Sequence, residues 1–245
     1  MSKQLELLTA ATPNGQKISI FLAELNLPYT TKSISLSASE QKTPSFLSIN
    51  PNGRIPAIVD HARNSFPVFE SGAILLYLAE HYDRDFTFSF QDANERSELI
   101  QWTVWQNASL GPMQGQANHF VRYAPEKIEY GIKRYQTETK RLYSVLETRL
   151  QDREYLVGEK YSIADISCFA WVRWAPWAGI ELDEFPRLKG WCERIEGREA
   201  VQVGLRVPDG EDQIEKLRRD PGVADPFQEW VMKGQREDAE KHGGK

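Results

Sequence analysis

Apolar positions along the first 82 residues switch between two periods. LELLT (5–9) is a short apolar run of strand length, and YTTKSISL (29–36) is rich in β-branched residues, which favour strands. Between them GQKISIFLAELN (15–26) places Ile18, Phe21, Leu22 and Leu25 at helical spacing on one face. This β-α-β order predicts a parallel strand pair joined by a right-handed crossover. AIVD (57–60) and FPVFE (66–70) follow as two short strands around the polar turn HARNS, a hairpin, and SGAILLYLAEHY (71–82) closes the region as an amphipathic helix. The pattern predicts a small α+β domain over 1–82, with helices on the faces of the sheet.

Helical periodicity lapses over 83–91, read as a linker, and from 92 the pattern is helical only. Helices are predicted near 92–110, 126–150, 163–178 and 187–202, which makes 92–205 an all-α domain. In YSIADIS (161–167), Ser162 and Asp165 have the spacing of a capping box, with Tyr161 and Ile166 placed as a hydrophobic staple, so a helix starts there. Beyond Val207 the chain is polar and punctuated by Pro and Gly, and 206–245 reads as a tail anchored only by PFQEWV. Trp171, Trp174 and Trp177 recur every three residues and are assigned to packing.

Composition narrows the function class. Hydrophobic residues at 40% and charged residues at 27% predict a folded globular protein. A net charge of −5 without a basic stripe argues against nucleic-acid binding. The N-terminus lacks a signal-peptide layout and no apolar run approaches the ~18 residues of a membrane span, so the cytosol is the expected compartment. Cys168 and Cys192 stand outside any CxxC motif and are read as buried thiols, and no histidine has a partner at metal-ligand spacing.

Two segments carry chemistry. In SINPNGRIPAIVD (48–60), Pro56 stands just before a strand, where its missing N–H would spoil a ladder. A cis Ile55-Pro56 bond would turn the Ile55 backbone outward to pair with an extended peptide; an ordinary trans turn is the alternative. In FESG (69–72), Glu70 and Ser71 stand where a strand hands over to a helix N-terminus, which favours anions. Ser71 is placed to give a hydroxyl to a ligand carboxylate and Glu70 to take the adjoining ammonium, although Ser71 also suits a plain cap. An anion site beside an acid and an outward-facing strand fits the amino-acid end of a short peptide.

With TPNG (12–15), NPNGRIPAIVD, ESGAILLYLAE and YSIADIS in this order, the chain resembles the cytosolic glutathione transferases over roughly residues 4–205. Within them it is similar to the Nu-class bacterial enzymes and the fungal nitrogen-regulator-like group. The resemblance implies a thioredoxin-like N-terminal domain, an all-helical second domain, a homodimer and glutathione as the bound thiol. It assigns Glu70 and Ser71 to the γ-glutamyl group, Ile55 (ahead of Pro56) to the cysteinyl main chain, and Arg54 and Gln41 to the glycyl end. Arg134 matches an arginine that reaches a glutathione carboxylate from the helical domain. Where many relatives carry Tyr, Ser or Cys after the first strand, this subgroup has Thr12 and Asn14, so the reactive sulfur is that of glutathione. Its thiolate would be favoured by the Asn14 amide, the Thr12 hydroxyl and a helix starting at Gly15, although Asn14 also suits a plain cap.

The implied activity is glutathione-dependent reduction of disulfides or peroxides, or conjugation to a small electrophile as in detoxification. A non-catalytic regulator and a dedicated biosynthetic conjugating enzyme are the alternatives. The fungal regulator has a long polar N-terminal extension that this sequence lacks, which ranks the enzyme first. Trp102, Trp105, His119 and Phe120 offer either an apolar wall for the second substrate or core packing, Gly111-Pro112 is read as interrupting a helix, and Phe227 and Trp230 are candidates for a lid.

Overall fold

Strand β1 (Leu5–Thr9) pairs in parallel with β2 (Tyr29–Ser33), from Leu5 opposite Tyr29 to Thr9 opposite Ser33. Its other edge pairs antiparallel with β3 (Ala57–Asp60), which forms a hairpin with β4 (Phe66–Phe69). The resulting order is β2-β1-β3-β4. Pro67 lies in β4, an edge strand, where its missing N–H costs no central ladder bond. Alternation along β1 divides the core: Leu5 and Leu7 face the helices α1 (Pro13–Glu24) and α3 (Ser71–Tyr82), while Leu8 faces a smaller cluster with Ile34, Leu36 and Phe46 of α2 (Pro44–Leu47). This computed structural model describes residues 4–220 and Val231, and over its first part the architecture is thioredoxin-like.

The stretch between the two halves is packed rather than loose. Asp83 accepts from the N–H groups of Thr87 and Phe88 and from Ser89 Oγ, while Phe88 meets Phe21 and Tyr161 edge-on, with ring centroids 5.8 and 6.1 Å apart. All-helical structure follows: α4 (Ala93–Trp105), α5 (Gly111–Asn118), α6 (Glu129–Arg149), α7 (Ile163–Val172), α8 (Pro186–Glu196) and α9 (Glu199–Gly204). The capping box at Ser162 and Asp165 is present.

Two expectations need correction here. Gly111-Pro112 does not interrupt the helix. The chain passes through a π-helical segment, Gln106–Leu110, in which the Gly111 N–H reaches back five residues to Gln106 O, and a second one, His119–Tyr123, follows α5. The wider turn accommodates Pro112, which has no N–H to contribute. The segment read as a polar tail also differs: Gln213–Arg219 forms α10, capped by Asp212, and buries Ile214 and Leu217 against Trp174 and Trp177. Arg173, itself buried, clamps this helix through a bidentate pair with Asp212 and a 3.0 Å bond from Nε to Glu196. Phe227 and Trp230 lie outside the described residues. No described helix is long and apolar enough to cross a membrane.

The halves meet along α1. Its stripe of Ile18, Phe21 and Leu22 faces the sheet, and its polar side is buried as well. Gln16 donates to Leu205 O and accepts from Trp174 Nε1, and Ser19 donates to Gly204 O at 2.7 Å. The approach is close because α9 ends in glycine: a Cβ on Gly204 would lie 2.5 Å from Ile20 Cα.

Candidate functional site

The seam between the two halves opens into a cleft of about 660 Å³. Thr12, Pro13 and Asn14 form one end. Thr12 is the N-cap of α1, accepting from Gly15 N at 3.2 Å, with Pro13 in the first turn where its lost N–H is harmless. The helix therefore starts two residues before the expected Gly15, and the plain-cap reading of Asn14 is replaced by a place inside the first turn. Gly15 serves another purpose: a Cβ there would lie 2.3 Å from Ala10 O, so only glycine lets the turn fold back on β1.

Asn14 is held from the opposite domain. Trp171 Nε1 donates to Asn14 Oδ1 at 2.9 Å. An indole N–H only donates, so the amide oxygen is fixed on the tryptophan, and what Asn14 offers the cleft is its two N–H donors. This corrects the assignment of the tryptophan stripe to packing alone. Trp171 lines the cleft, and Trp174 and Trp177 commit their N–H groups to Gln16 and to the Tyr123 hydroxyl.

Glu70 and Ser71 form the facing wall. Glu70 is exposed and sits at φ 69°, a left-handed conformation uncommon outside glycine, immediately before α3. Asn52 Nδ2 donates to its carboxylate at 3.4 Å. Ser71 is the first residue of α3 rather than its cap, and its hydroxyl is nearly buried. It donates to Asn107 Oδ1 over 3.3 Å and accepts from Lys17 Nζ at 3.0 Å. Lys17 is fully buried and also donates to Gln106 Oε1, which accepts from Ser167 as well. Burial pulls its ammonium down to about 7, against smaller opposing effects of Cys168 and Glu70.

The Ile55-Pro56 bond is cis, and both residues line the cleft together with Arg54 and Gln41. Asn50 braces the loop, donating through Nδ2 to Arg54 O at 2.6 Å and accepting from Asn52 N through Oδ1. Gln41 is buried and its Oε1 has no hydrogen-bond partner; Asn118 Oδ1, also at the cleft, is in the same condition. A buried amide oxygen without a partner is costly, and two in one cleft mark it as shaped for a polar ligand.

The helical wall comes from the two π-helical segments and α5. Asn107, Pro112, Gly115, Asn118 and His119 line it, and Val231 also reaches the cleft. Burial lowers the His119 imidazole below its ordinary range, so the ring is neutral at neutral pH. Of the four residues considered for a second-substrate wall, only His119 is there. Trp102 and Trp105 pack on each other, Arg149 lies over the Trp102 ring, and Phe120 stacks on Tyr135. Arg134 is not among the cleft residues. It is exposed on α6, one turn before Glu138, whose carboxyl is held low by a hydrogen bond from Arg141 and also by the Arg134 charge.

The cleft itself holds no thiol. Cys168 and Cys192 are buried and free, and burial pushes Cys192 up to about 12 and Cys168 higher. Among the described residues no group of three or more His, Cys, Asp or Glu side chains could hold a metal ion. Sequence reasoning thus located the N-terminal side of the cleft and missed Lys17, Gln106, Asn107 and Asn118. The available signal for Lys17 was its spacing, one turn from Asn14 on the same helix.

Residues 3–80 match the glutathione S-transferase N-terminal domain family and residues 111–199 the glutathione S-transferase C-terminal domain family. The chain is 46% identical over 205 residues to the disulfide-bond oxidoreductase YfcG of Escherichia coli, covering 82% of this chain and 94% of that protein. Among solved structures it is similar to a glutathione transferase homolog from Lodderomyces elongisporus with two GSH per subunit, at 42% identity and a TM-score of 0.81, over 84% of this chain and 99% of that one. It is also similar to the glutathione transferase URE2P6 from Phanerochaete chrysosporium in complex with oxidized glutathione, at 39% identity and a TM-score of 0.80, over 83% and 95% of the two chains. On these matches and this architecture, the chain belongs to the glutathione S-transferase family, in the subgroup that joins the Nu-class enzymes and their fungal Ure2p-like relatives.

Proposed function

We propose that this protein binds glutathione in the cleft and uses its sulfur, as a thiolate, to reduce disulfides. The observation that carries the reading is the Asn14 amide. With Oδ1 occupied by Trp171, it presents only donors, at the start of a helix, in a cleft without a cysteine. Two N–H donors and the positive end of α1 favour S⁻ over SH, and the Thr12 hydroxyl, which already accepts from Gly15 N, keeps its hydrogen for the same anion.

The other roles follow from placement. Ser71 and the N-terminus of α3 take the α-carboxylate of the γ-glutamyl group and Glu70 its ammonium. The Ile55 backbone, ahead of Pro56, pairs with the cysteinyl unit, and Gln41 and Arg54 take the glycyl end. The thiolate attacks one sulfur of a small disulfide, forming a mixed disulfide and expelling the other sulfur as thiolate. A second glutathione thiolate then resolves the mixed disulfide, so two glutathiones are oxidised to one glutathione disulfide as one substrate disulfide is reduced. The names of the E. coli oxidoreductase and of the complex with oxidized glutathione support this direction over conjugation. The working unit is read as a homodimer, on the exposed Phe66 and Phe69 of β4 and Ile100 and Val104 of α4, and in the cytosol.

Turnover of 2-hydroxyethyl disulfide with glutathione, coupled to glutathione reductase and NADPH, tests the proposal. Asn14→Ala is expected to lower kcat by about 10²-fold or more, the scale for losing an oxyanion donor. An unchanged rate would remove Asn14 from the mechanism, and calorimetry detecting no glutathione uptake by folded protein would remove the function.

A further inference from the structure

Lys17 lies under the floor of the cleft, not in it. Its ammonium touches Ser71 Oγ, at the start of α3, and Gln106 Oε1, in the first π-helical segment. The titratable groups facing it from neighbouring elements are Glu70, ahead of α3, and Cys168, on α7. Burial raises the Cys168 thiol far above neutral pH, so it carries no charge. Among the described residues no carboxylate lies within ion-pair distance of Lys17. A fully buried lysine is almost always paired, because an unpaired charge away from water is expensive. Here the partner is missing, and the hydroxyl that Lys17 holds opens on the place given above to the γ-glutamyl carboxylate.

Ser71 has one hydrogen. With Lys17 donating to its oxygen at 3.0 Å, that hydrogen goes to Asn107 across 3.3 Å, a long bond for a hydroxyl. A carboxylate arriving at the N-terminus of α3 is a stronger acceptor than the Asn107 amide.

We propose that Lys17 is a positioning residue whose counter-ion is the α-carboxylate of the bound γ-glutamyl group, toward which it orients the Ser71 hydroxyl. The inference rests on glutathione occupying the cleft as assigned above.

In the empty protein the ammonium titrates at about 7. A bound anion raises that value, so binding takes up little below it and more above it, and affinity falls as pH rises through the window. S-methylglutathione isolates the effect, because it has both carboxylates and the ammonium but no thiol to titrate. Calorimetry in buffers of different ionisation enthalpy is expected to show about 0.1 proton taken up per site at about pH 6 and at least about 0.5 at about pH 8. Lys17→Met is expected to bind with no uptake at either pH and with an affinity that no longer depends on pH. An analogue with 4-aminobutyrate in place of γ-glutamate keeps the ammonium and lacks the α-carboxylate; wild-type protein should bind it without uptake, which decides the matter even if Lys17→Met does not fold. Uptake that is equal at the two pH values, that persists in Lys17→Met, or that persists with the analogue overturns the proposal. Binding of S-methylglutathione without uptake removes this inference alone, whereas no binding removes the occupancy of the cleft as well.

Discussion

Replacing Trp171 by Phe separates an oriented amide from a merely nearby one. The substitution removes the indole N–H that fixes Asn14 Oδ1 at 2.9 Å and leaves Asn14 in place. A neutral hydrogen bond of this kind is worth about 0.5–1.5 kcal/mol net. Without it the amide is free to turn its oxygen toward the sulfur, where it would repel S⁻. If that energy is expressed in stabilising the thiolate, kcat/KM for disulfide reduction falls about two- to thirteen-fold and the apparent thiol pKa of bound glutathione rises by about 0.4–1.1 units. Both are read from the pH dependence of the coupled assay. Trp171 also packs its ring 3.3 to 3.9 Å from the Cβ positions of Gly111 and Gly115, so thermal unfolding must first show a folded variant. The double variant decides: in an Asn14→Ala background, Trp171→Phe should cost almost nothing further, because the two act as one unit. A loss that is equal in both backgrounds would mean that the effect travels through packing, and the orientation argument would be wrong.

Stability offers further checks. Gly204→Ala drives a methyl to within 2.5 Å of Ile20 Cα and 2.6 Å of Ile20 N, both backbone atoms, so α9 must move off α1. A loss of about 1–3 kcal/mol in urea unfolding is expected, and a loss under about 0.5 kcal/mol would show that the interface yields easily. Asp212→Ala strips the bidentate partner from buried Arg173 and leaves only Glu196, so about 3 kcal/mol or more should be lost together with the docking of α10; a neutral result would mean that water reaches the arginine. In the ligand-free protein, Lys17 titrates at about 7 against an ordinary 10.5. Between these values the unfolded chain binds more protons, so the Lys17 contribution makes stability rise with pH from about 7 to about 10 and adds nothing further below 7. Urea unfolding at about pH 7 and about pH 9 should show a rise roughly 2 kcal/mol larger in wild type than in Lys17→Met, and equal rises would place the lysine charge in contact with water.

What the sequence reveals depends on whether a signal is local. Strands at 5–9 and 57–60, the helix at 71–82 and the capping box at Ser162 are each specified by residues a few positions apart, and the structure has them at those positions. The N-terminal side of the cleft was legible for the same reason, since TPNG, GRIP and FESG are short segments that each shape one corner of it. Thr12 as the cap and Pro13 in the first turn are equally local signs that α1 starts before Gly15. Gln213–Arg219 went unseen because its few apolar side chains are too sparse to show a period, and their partners, Trp174, Trp177 and Arg173, are some forty residues away.

Gln16, Lys17, Ser19 and Trp171 share one circumstance: their polar groups are engaged by a partner element remote in sequence. Gln16, Lys17 and Ser19 lie on what periodicity marks as the outer face of an amphipathic helix, and in a single-domain protein that face would be wet. Here α7, α9 and the first π-helical segment cover it, so each polar group must find a partner, and those partners are Trp174, Leu205 O, Gly204 O, Gln106 and Ser71. Trp171 fits the same account from the other side, as a helical tryptophan whose N–H finds its acceptor 157 positions earlier. The first helix of the thioredoxin-like half therefore does two things at once. Its N-terminus lines the cleft, and its polar face couples that end to the helical domain, so changes at Gln16, Lys17 or Trp171 should act through Asn14 and Ser71 on the chemistry proposed for the cleft.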